Sequence, residues 1–357
     1  MSFLQSVYTK LRRHPKRIVF PEGSDPRVIR AARMFNDLGL GVAILVGKRA
    51  DIESVAADQK VSLNHIAVAD PEASSEMPRF LRLAGSLERY RGMGDGDLRN
   101  MLLTPNYFAA MMLQNGLADG LVGGVSSYAG SLFRPLQQLI KPLPHASVVS
   151  SAMIVELPRP EFGDAGVLFF ADCGTVPEPT VDQLASIGVQ TGLLARQVFG
   201  RRPRIAFLSF STHGSSTHPA ASKMAAAAAQ ARELALRIGG ADALDHPMEI
   251  EGELQADTAV VPAIAAIKLP ESMVAGRANV LIFPDLNSGN IASKLVHYLA
   301  GARVYGQIVL GLSRPAAELS RGTRSEDIAS VAALIGLQAI EYRKLYPLSE
   351  DPMGGVS

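Results

Sequence analysis

Residues 318–327 read Glu-Leu-Ser-Arg-Gly-Thr-Arg-Ser-Glu-Asp and bring two guanidiniums, three hydroxyls and three acids to the start of a long helical pattern. Arginine binds phosphate through two parallel N–H bonds and stays charged throughout the working pH range. The same residues also satisfy a local need. Thr323 and Glu326 stand at capping-box spacing, and Asp327 complements a helix dipole, so capping and phosphate binding both remain open on spacing alone.

Three further segments have chemical potential. Ser209–Ser216 contains four serines, a threonine and a glycine after an apolar strand pattern; Ser211, Thr212 and Ser215 could offer hydroxyls, and the turn its N–H groups, to an anion. Capping hydroxyls in an ordinary loop would look the same. Pro284–Ile291 brings Asp285, Asn287 and Asn290 to a helix start, as a polar pocket or as a cap. Arg134-Pro135 follows the Gly/Ser-rich turn 123–131, where an arginine either closes on an anion or is a solvated helix residue.

Cys173 lies in Phe-Phe-Ala-Asp-Cys-Gly with no nearby His, Lys or Arg to make a thiolate, so packing is the expected role. The seven histidines form no HExxH or HxxxH pair, and His213 with His218 alone make a poor metal site. Neither GxGxxG opening a strand–helix unit nor a Walker loop is present, so the usual nucleotide fingerprints are missing.

These groups need a scaffold, and the chain can build a large one. It has 357 residues, about two domains' worth. Hydrophobic residues make up 47%, and 35 basic against 34 acidic side chains leave a formal charge of +1. That balance argues against a dedicated nucleic-acid binder. A single cysteine rules out an intrachain disulfide framework. The N-terminus mixes apolar and basic residues as an amphipathic helix ending before Pro15, without a signal peptide's apolar core. No uncharged apolar run is long enough to span a bilayer, so the expectation is a soluble, cytoplasmic protein without a membrane partner.

Apolar runs at 17–20, 42–47, 66–69, 120–123, 147–156, 166–171, 204–210, 279–283 and 304–308 predict strands. Helical patterns at 25–38, 104–116, 182–199, 219–238, 288–300 and 325–344 lie among them. Strands apolar on both faces predict parallel sheets and an α/β class. Asp25-Pro26 is a helix start, with the acid at the cap and proline in the first turn. The composition shifts at Lys141-Pro142-Leu143-Pro144. The expected organisation is a discontinuous first domain, 1–144 plus 305–357, and a second domain, 145–304.

Eight stretches in order resemble the phosphate acetyltransferase (phosphotransacetylase) family over nearly the whole chain. They are IVFPEGSDPRVIRAA, LTPNYFAAMMLQNGLADGLVGG, FRPLQQLIK, FFADCGTVPEPTVDQLA, PRIAFLSFSTHGSS, EGELQADTAVVP, VAGRANVLIFPDLNSGNIASKLV and LSRGTRSEDI. The resemblance implies two α/β/α domains flanking a cleft, a fold similar to isocitrate and isopropylmalate dehydrogenases, and a homodimer. It implies reversible acetyl transfer between acetyl phosphate and coenzyme A by thiolate attack in a ternary complex. Coenzyme A would be a substrate, with no tightly bound cofactor and no metal in the chemical step. A longer-chain phosphate acyltransferase and a non-catalytic acyl-CoA-sensing module are the alternatives.

On the matching positions, the resemblance assigns Ser320 to the transition state, Arg321 to the substrate phosphate, Asp327 to the coenzyme A thiol, and Arg134 to a phosphate or coenzyme A contact. A further family arginine falls in Arg89-Tyr90-Arg91-Gly92, where the local pattern departs and Arg91 is the expected match, with Arg89 beside it. Departures also occur at Val176, at Ser126-Ser127-Tyr128, at Thr217 and at Glu251, and they bear on acyl specificity. An ordinary carboxylate is a weak base for a thiol, so Asp327 either gains basicity through burial or mainly orients the thiol.

Overall fold

The computed structural model describes residues 3–126, 128, 130–238 and 247–345. Ser127 and the extreme ends of the first expected domain therefore lie outside the described residues. The strands are Lys16–Phe20 (β1), Gly41–Val46 (β2), Ala67–Ala69 (β3), Gly120–Gly123 (β4), Ser150–Glu156 (β5) and Val167–Ala171 (β6). Arg204–Leu208 (β7), Glu249–Leu254 (β8), Val280–Ile282 (β9), Arg303–Leu310 (β10) and Ala316–Glu318 (β11) complete the set.

The chain divides into two compact units, Met1–Pro142 with Leu312–Ser357, and Leu143–Gly311. An edge at residues 304/305 would cut β10, which pairs antiparallel with β5 from Arg303 to Leu310. The second unit therefore runs to Gly311, several residues beyond the expected edge.

In the first unit the strands stand in the order β3-β2-β1-β4-β11, and every pair is parallel. All their carboxyl ends consequently share one edge, the usual place for ligands in open α/β sheets. The helix Pro26–Asp37 follows β1 and starts as its sequence indicates: Asp25 accepts from the Arg27 backbone N–H at 2.8 Å, and Pro26 occupies the first turn. Its apolar face, including Val28, Ile29 and Phe35, is buried. The helix Ser325–Leu345 packs against it and against β4. The N-terminal helix Phe3–Arg13 buries Phe3, Val7 and Leu11 and leaves its basic residues on the other side.

The second unit runs β10-β5-β6-β9-β7-β8. Pairs from β6 onward are parallel, but β5 is antiparallel to both β6 and β10, against the all-parallel expectation. A strand covered on both faces is apolar throughout whichever way it runs, so the pattern carried no direction. The direction comes from the short return 157–166, where Gly163 and Gly166 adopt φ of +59° and +92° and Leu157 N–H bonds to the Gly166 carbonyl. The helix Val181–Phe199 covers this unit, opened by a complete capping box between Thr180 and Gln183 and closed by Gly200 in the left-handed conformation.

Candidate active site

In the first unit, three loops converge at the carboxyl ends of β1, β4 and β11. Ser320 and Arg321 leave β11 on an exposed loop. The Arg321 guanidinium carbon lies 5.4 Å from the ring centroid of Tyr128, in cation–π range. Tyr128 belongs to the loop after β4 and is 80% exposed. Ser320 Oγ is 3.2 Å from Thr323 Oγ1, and the Thr323 hydroxyl donates to the Ser320 carbonyl at 2.7 Å. Thr323 thus closes its own turn instead of joining a capping box with Glu326. Asp327 stands in the first helical turn, one-third exposed, with its Oδ2 3.1 Å from Arg324 Nε.

Two carboxylates that the sequence reading passed over set the shape of the loop after β4. Glu22 accepts from the Gly124 N–H at 2.9 Å and the Ser126 N–H at 3.4 Å. Glu318 accepts from Gly130 at 2.9 Å and Leu132 at 3.4 Å. Burial raises the Glu318 carboxyl pKa, and these N–H bonds act in the opposite direction. Gly124, at φ +96°, lets the backbones meet: a Cβ there would come within 2.8 Å of the Leu319 carbonyl oxygen.

Arg134 is exposed on the short helix Phe133–Leu139 that ends this loop. The same helix is tied to the turn Glu88–Tyr90 by Arg89 Nη1 donating to the Gln137 carbonyl at 3.3 Å and Tyr90 Oη donating to Gln138 at 3.0 Å. Burial pushes the Tyr90 phenol up to about 12, so it remains a donor at any working pH. The fold therefore links the Arg89–Arg91 turn to the Arg134 helix, with Arg91 exposed.

Next to these loops, a cavity of about 630 Å³ opens at the carboxyl ends of β1 and β2. Its charged lining is Glu22, Asp25 and Asp51 against Lys48. That excess of carboxylates disfavours a phosphate there.

In the second unit the loop after β7 bears on the two readings left open for Ser209–Ser216. Its backbone amides from 212 to 216 are occupied: Thr212 N–H by Ser215 Oγ, His213 by the Glu253 carbonyl, Gly214 by the Glu253 carboxylate at 2.7 Å, Ser215 by the Thr212 carbonyl, and Ser216 by Ser211 Oγ. The turn is therefore no anion nest, because a carboxylate of its own protein fills it. Ser211 is fully buried and donates to Glu253 at 2.8 Å. Thr212 exchanges hydrogen bonds with Gln255, while Ser215 is exposed.

Asp172, at the end of β6, organises the neighbouring loop. Its buried carboxylate accepts from Ser151 Oγ at 2.7 Å and from the N–H groups of Gly174, Thr175 and Val176 at 2.8, 3.1 and 3.0 Å. Asn290 donates to the Cys173 carbonyl at 3.0 Å, and Asn287 is exposed one turn earlier on the helix Leu286–Leu299, whose cap is Asp285. Gly289 allows that helix to approach, since a Cβ would meet the Asp172 carbonyl oxygen at 2.2 Å.

Cys173 is fully buried, and burial together with the Asp172 carboxylate pushes its thiol far above the ordinary range. Cys173→Ala should keep acyl-transfer activity within about twofold, and the native thiol should resist aromatic disulfide reagents until the chain unfolds. Activity lost in step with thiol modification of the folded protein would contradict that role.

A carboxylate at or just beyond a strand end, bonded to loop amides, recurs at Glu22, Glu318, Asp172 and Glu253. For Glu22, Glu318 and Asp172 the visible signal is an acid shortly after an apolar run and close to Gly or Ser; Glu253 lacks it. Among the described residues no cluster of His, Cys, Asp or Glu is suited to hold a metal ion, and no helix is long and apolar enough to cross a membrane.

Fold and loops together define an α/β protein whose candidate site residues in the first unit ride on loops at the carboxyl edge of parallel strands. The phosphate acetyl/butaryl transferase family model matches residues 2–335, and the chain belongs to that family and is an acyltransferase. It is 39% identical to a phosphate acetyltransferase of Thermoanaerobacterium thermosaccharolyticum over 95% of this chain and 100% of that one. A phosphate acetyltransferase of Acetivibrio thermocellus is 38% identical over 95% and 98% of the two chains. The crystal structure of a phosphotransacetylase from Streptococcus pyogenes superposes with a TM-score of 0.84 at 34% identity, covering 96% of this chain and 100% of that one.

Proposed function

We propose that the chain transfers an acetyl group reversibly between acetyl phosphate and coenzyme A, within acetate metabolism in the cytoplasm. One observation carries the site assignment. The loop amides that could have held a phosphate are capped by the protein's own carboxylates, while Arg321 stands exposed beside Ser320. Phosphate charge therefore falls to guanidiniums.

In the forward direction the coenzyme A sulfur attacks the acetyl carbon and a C–S bond forms. The carbonyl oxygen takes up charge, which Ser320 meets with a hydrogen bond. The C–O bond to phosphorus then breaks, and the leaving phosphate departs against Arg321 with the electron pair. Arg134 and Arg91 bind coenzyme A or phosphate charge. Asp327 receives or orients the thiol hydrogen; its exposure and its pairing with Arg324 support orientation as the main role. In the second unit, Thr212, Ser215, Asn287 and Asn290 are proposed substrate contacts, and Ser211 holds its loop in place through Glu253.

Phosphate release from acetyl, propionyl and butyryl phosphate, each with and without coenzyme A, tests this reading. Coenzyme A-dependent release, fastest with acetyl phosphate, is expected. Faster turnover of longer chains would reassign the substrate, and tight acyl-CoA binding without turnover would make the chain a sensing module. Labelled phosphate should not exchange into acetyl phosphate without coenzyme A, because direct transfer forms no acyl-enzyme.

A homodimer is part of the same proposal. The helix Leu286–Leu299 exposes Ile291, Leu295, Tyr298 and Leu299 by 57, 51, 78 and 80%, an apolar stripe at helical spacing. A second copy is the proposed cover. Leu295→Asp should shift the light-scattering mass from two chains to one, and an unchanged mass for this variant and for Tyr298→Asp would rule the stripe out.

A further inference from the structure

We propose that Arg27 is the positioning residue of the catalytic loop: its guanidinium locks the turn that carries Ser320 and Arg321 to the loop after β4, and so sets where those two side chains meet the transferred group. This rests on the reading of Ser320 and Arg321 as reacting groups.

The geometry is a complete set of donors. A guanidinium has five N–H bonds in a rigid fork. Arg27 Nε donates to Asp25 Oδ1 at 3.1 Å, and Nη2 donates to Asp25 Oδ2 at 2.8 Å, which fixes the plane of the fork. Nη2 also donates to the Val125 carbonyl at 2.8 Å. Nη1 reaches the carbonyls of Arg321 at 2.6 Å and Thr323 at 3.3 Å. Every N–H has a protein acceptor, so this arginine is not built to hold substrate phosphate. It joins three segments that leave three adjacent strands: Asp25 after β1, Val125 after β4, and Arg321 with Thr323 after β11.

The local sequence explains the precision. Asp25 caps the helix Pro26–Asp37 and pairs with Arg27 at 2.8 Å, and Pro26 fixes the first turn, so the guanidinium projects from a rigid base. Lysine at this position could supply at most three donors from one point and cannot bridge the same carbonyls in a plane. Displacements of about 1 Å at reacting groups are enough to cost roughly 10²-fold in rate. The turn Ser320–Thr323 otherwise has mainly its own internal bonds to hold its form.

Arg27→Ala, Arg27→Lys and wild-type enzyme should be compared by kcat, the KM values for acetyl phosphate and coenzyme A, thermal midpoint, added guanidinium, and amide exchange at residues 319–324. The expected result for Arg27→Ala is a kcat lower by about 10- to 100-fold with KM for coenzyme A within about threefold. Guanidinium should recover part of the lost rate, Arg27→Lys should not restore it, and the 319–324 amides should exchange faster. A kcat within about twofold of wild type, or a loss that only follows the unfolded fraction and ignores guanidinium, would overturn the proposal. If the wild type itself transfers no acetyl group, the functional reading fails separately. The exchange measurement then decides the clamp: faster exchange at 319–324 upholds it and unchanged exchange refutes it.

Discussion

Arg321→Ala should lower kcat for acetyl transfer by about 10²- to 10³-fold, the cost of removing one donor proposed to meet charge in the transition state. The leaving phosphate gains negative charge as the C–O bond breaks, and a guanidinium can meet it without giving up a proton. The fold leaves little substitute. Glu22 and Glu318 occupy loop amides after β4, and the nearby cavity has three carboxylates for one lysine. Arg321 is exposed, so its removal takes little from the core. The thermal midpoint should therefore move by only about 1–2 °C, as expected for a surface change within roughly 0.5 kcal/mol. Arg321→Lys keeps the charge but loses the fork and should recover only part of the rate. A large fall in midpoint with intact specific activity would reassign Arg321 to structure.

Asp172→Ala should have the largest effect on stability, about 3–5 kcal/mol, because it leaves several buried donors without their acceptor at once. Ser151 Oγ and three consecutive backbone N–H groups lose their acceptor in a buried place. For a unit of this size the midpoint should drop by about 6–15 °C. Asp172→Asn retains one acceptor oxygen and should cost less. The pH dependence has a definite sign. Burial raises the Asp172 pKa even against its four hydrogen bonds, so the folded state holds the proton where the unfolded chain has lost it. This contribution is full below the ordinary carboxylate value and is lost as pH rises through the raised one. Asp172→Asn should flatten that slope in denaturant melts across the window above about pH 4. An unchanged slope would show that Asp172 does not titrate there.

The elements that position the first unit's site were legible wherever local chemistry specified them. Asp25-Pro26 marked its helix start, and the apolar runs of β1, β2 and β4 marked strands. The reversal of β5 was not visible, because burial on both faces erases alternation whichever direction the strand takes. β8, Glu-Ile-Glu-Gly-Glu-Leu, was hidden by its acids, one of which, Glu253, turns inward to fill the loop after β7. β11 has three residues, too few to show any period.

The candidate site was legible by residue type more than by arrangement. Spacing alone left Ser320, Arg321 and Asp327 open between capping and chemistry, and the resemblance gave them roles; they stand on one loop and the helix it opens. The sequence left the amides after β7 open between an anion and a cap, since it lists donors but not the acceptors that reach them from distant strands. Arg27 was missed for the same reason. Its acceptors lie about 100 and 300 residues away along the chain.

The most direct measurement is the initial rate of acetyl-CoA formation from acetyl phosphate and coenzyme A, with wild type and Arg321→Ala compared at equal folded fraction. Rapid, coenzyme A-dependent thioester formation by the wild type, reduced by about 10²-fold or more in the variant, is the predicted result. Equal rates for the two proteins, or no thioester from the wild type with any acyl phosphate, would contradict it.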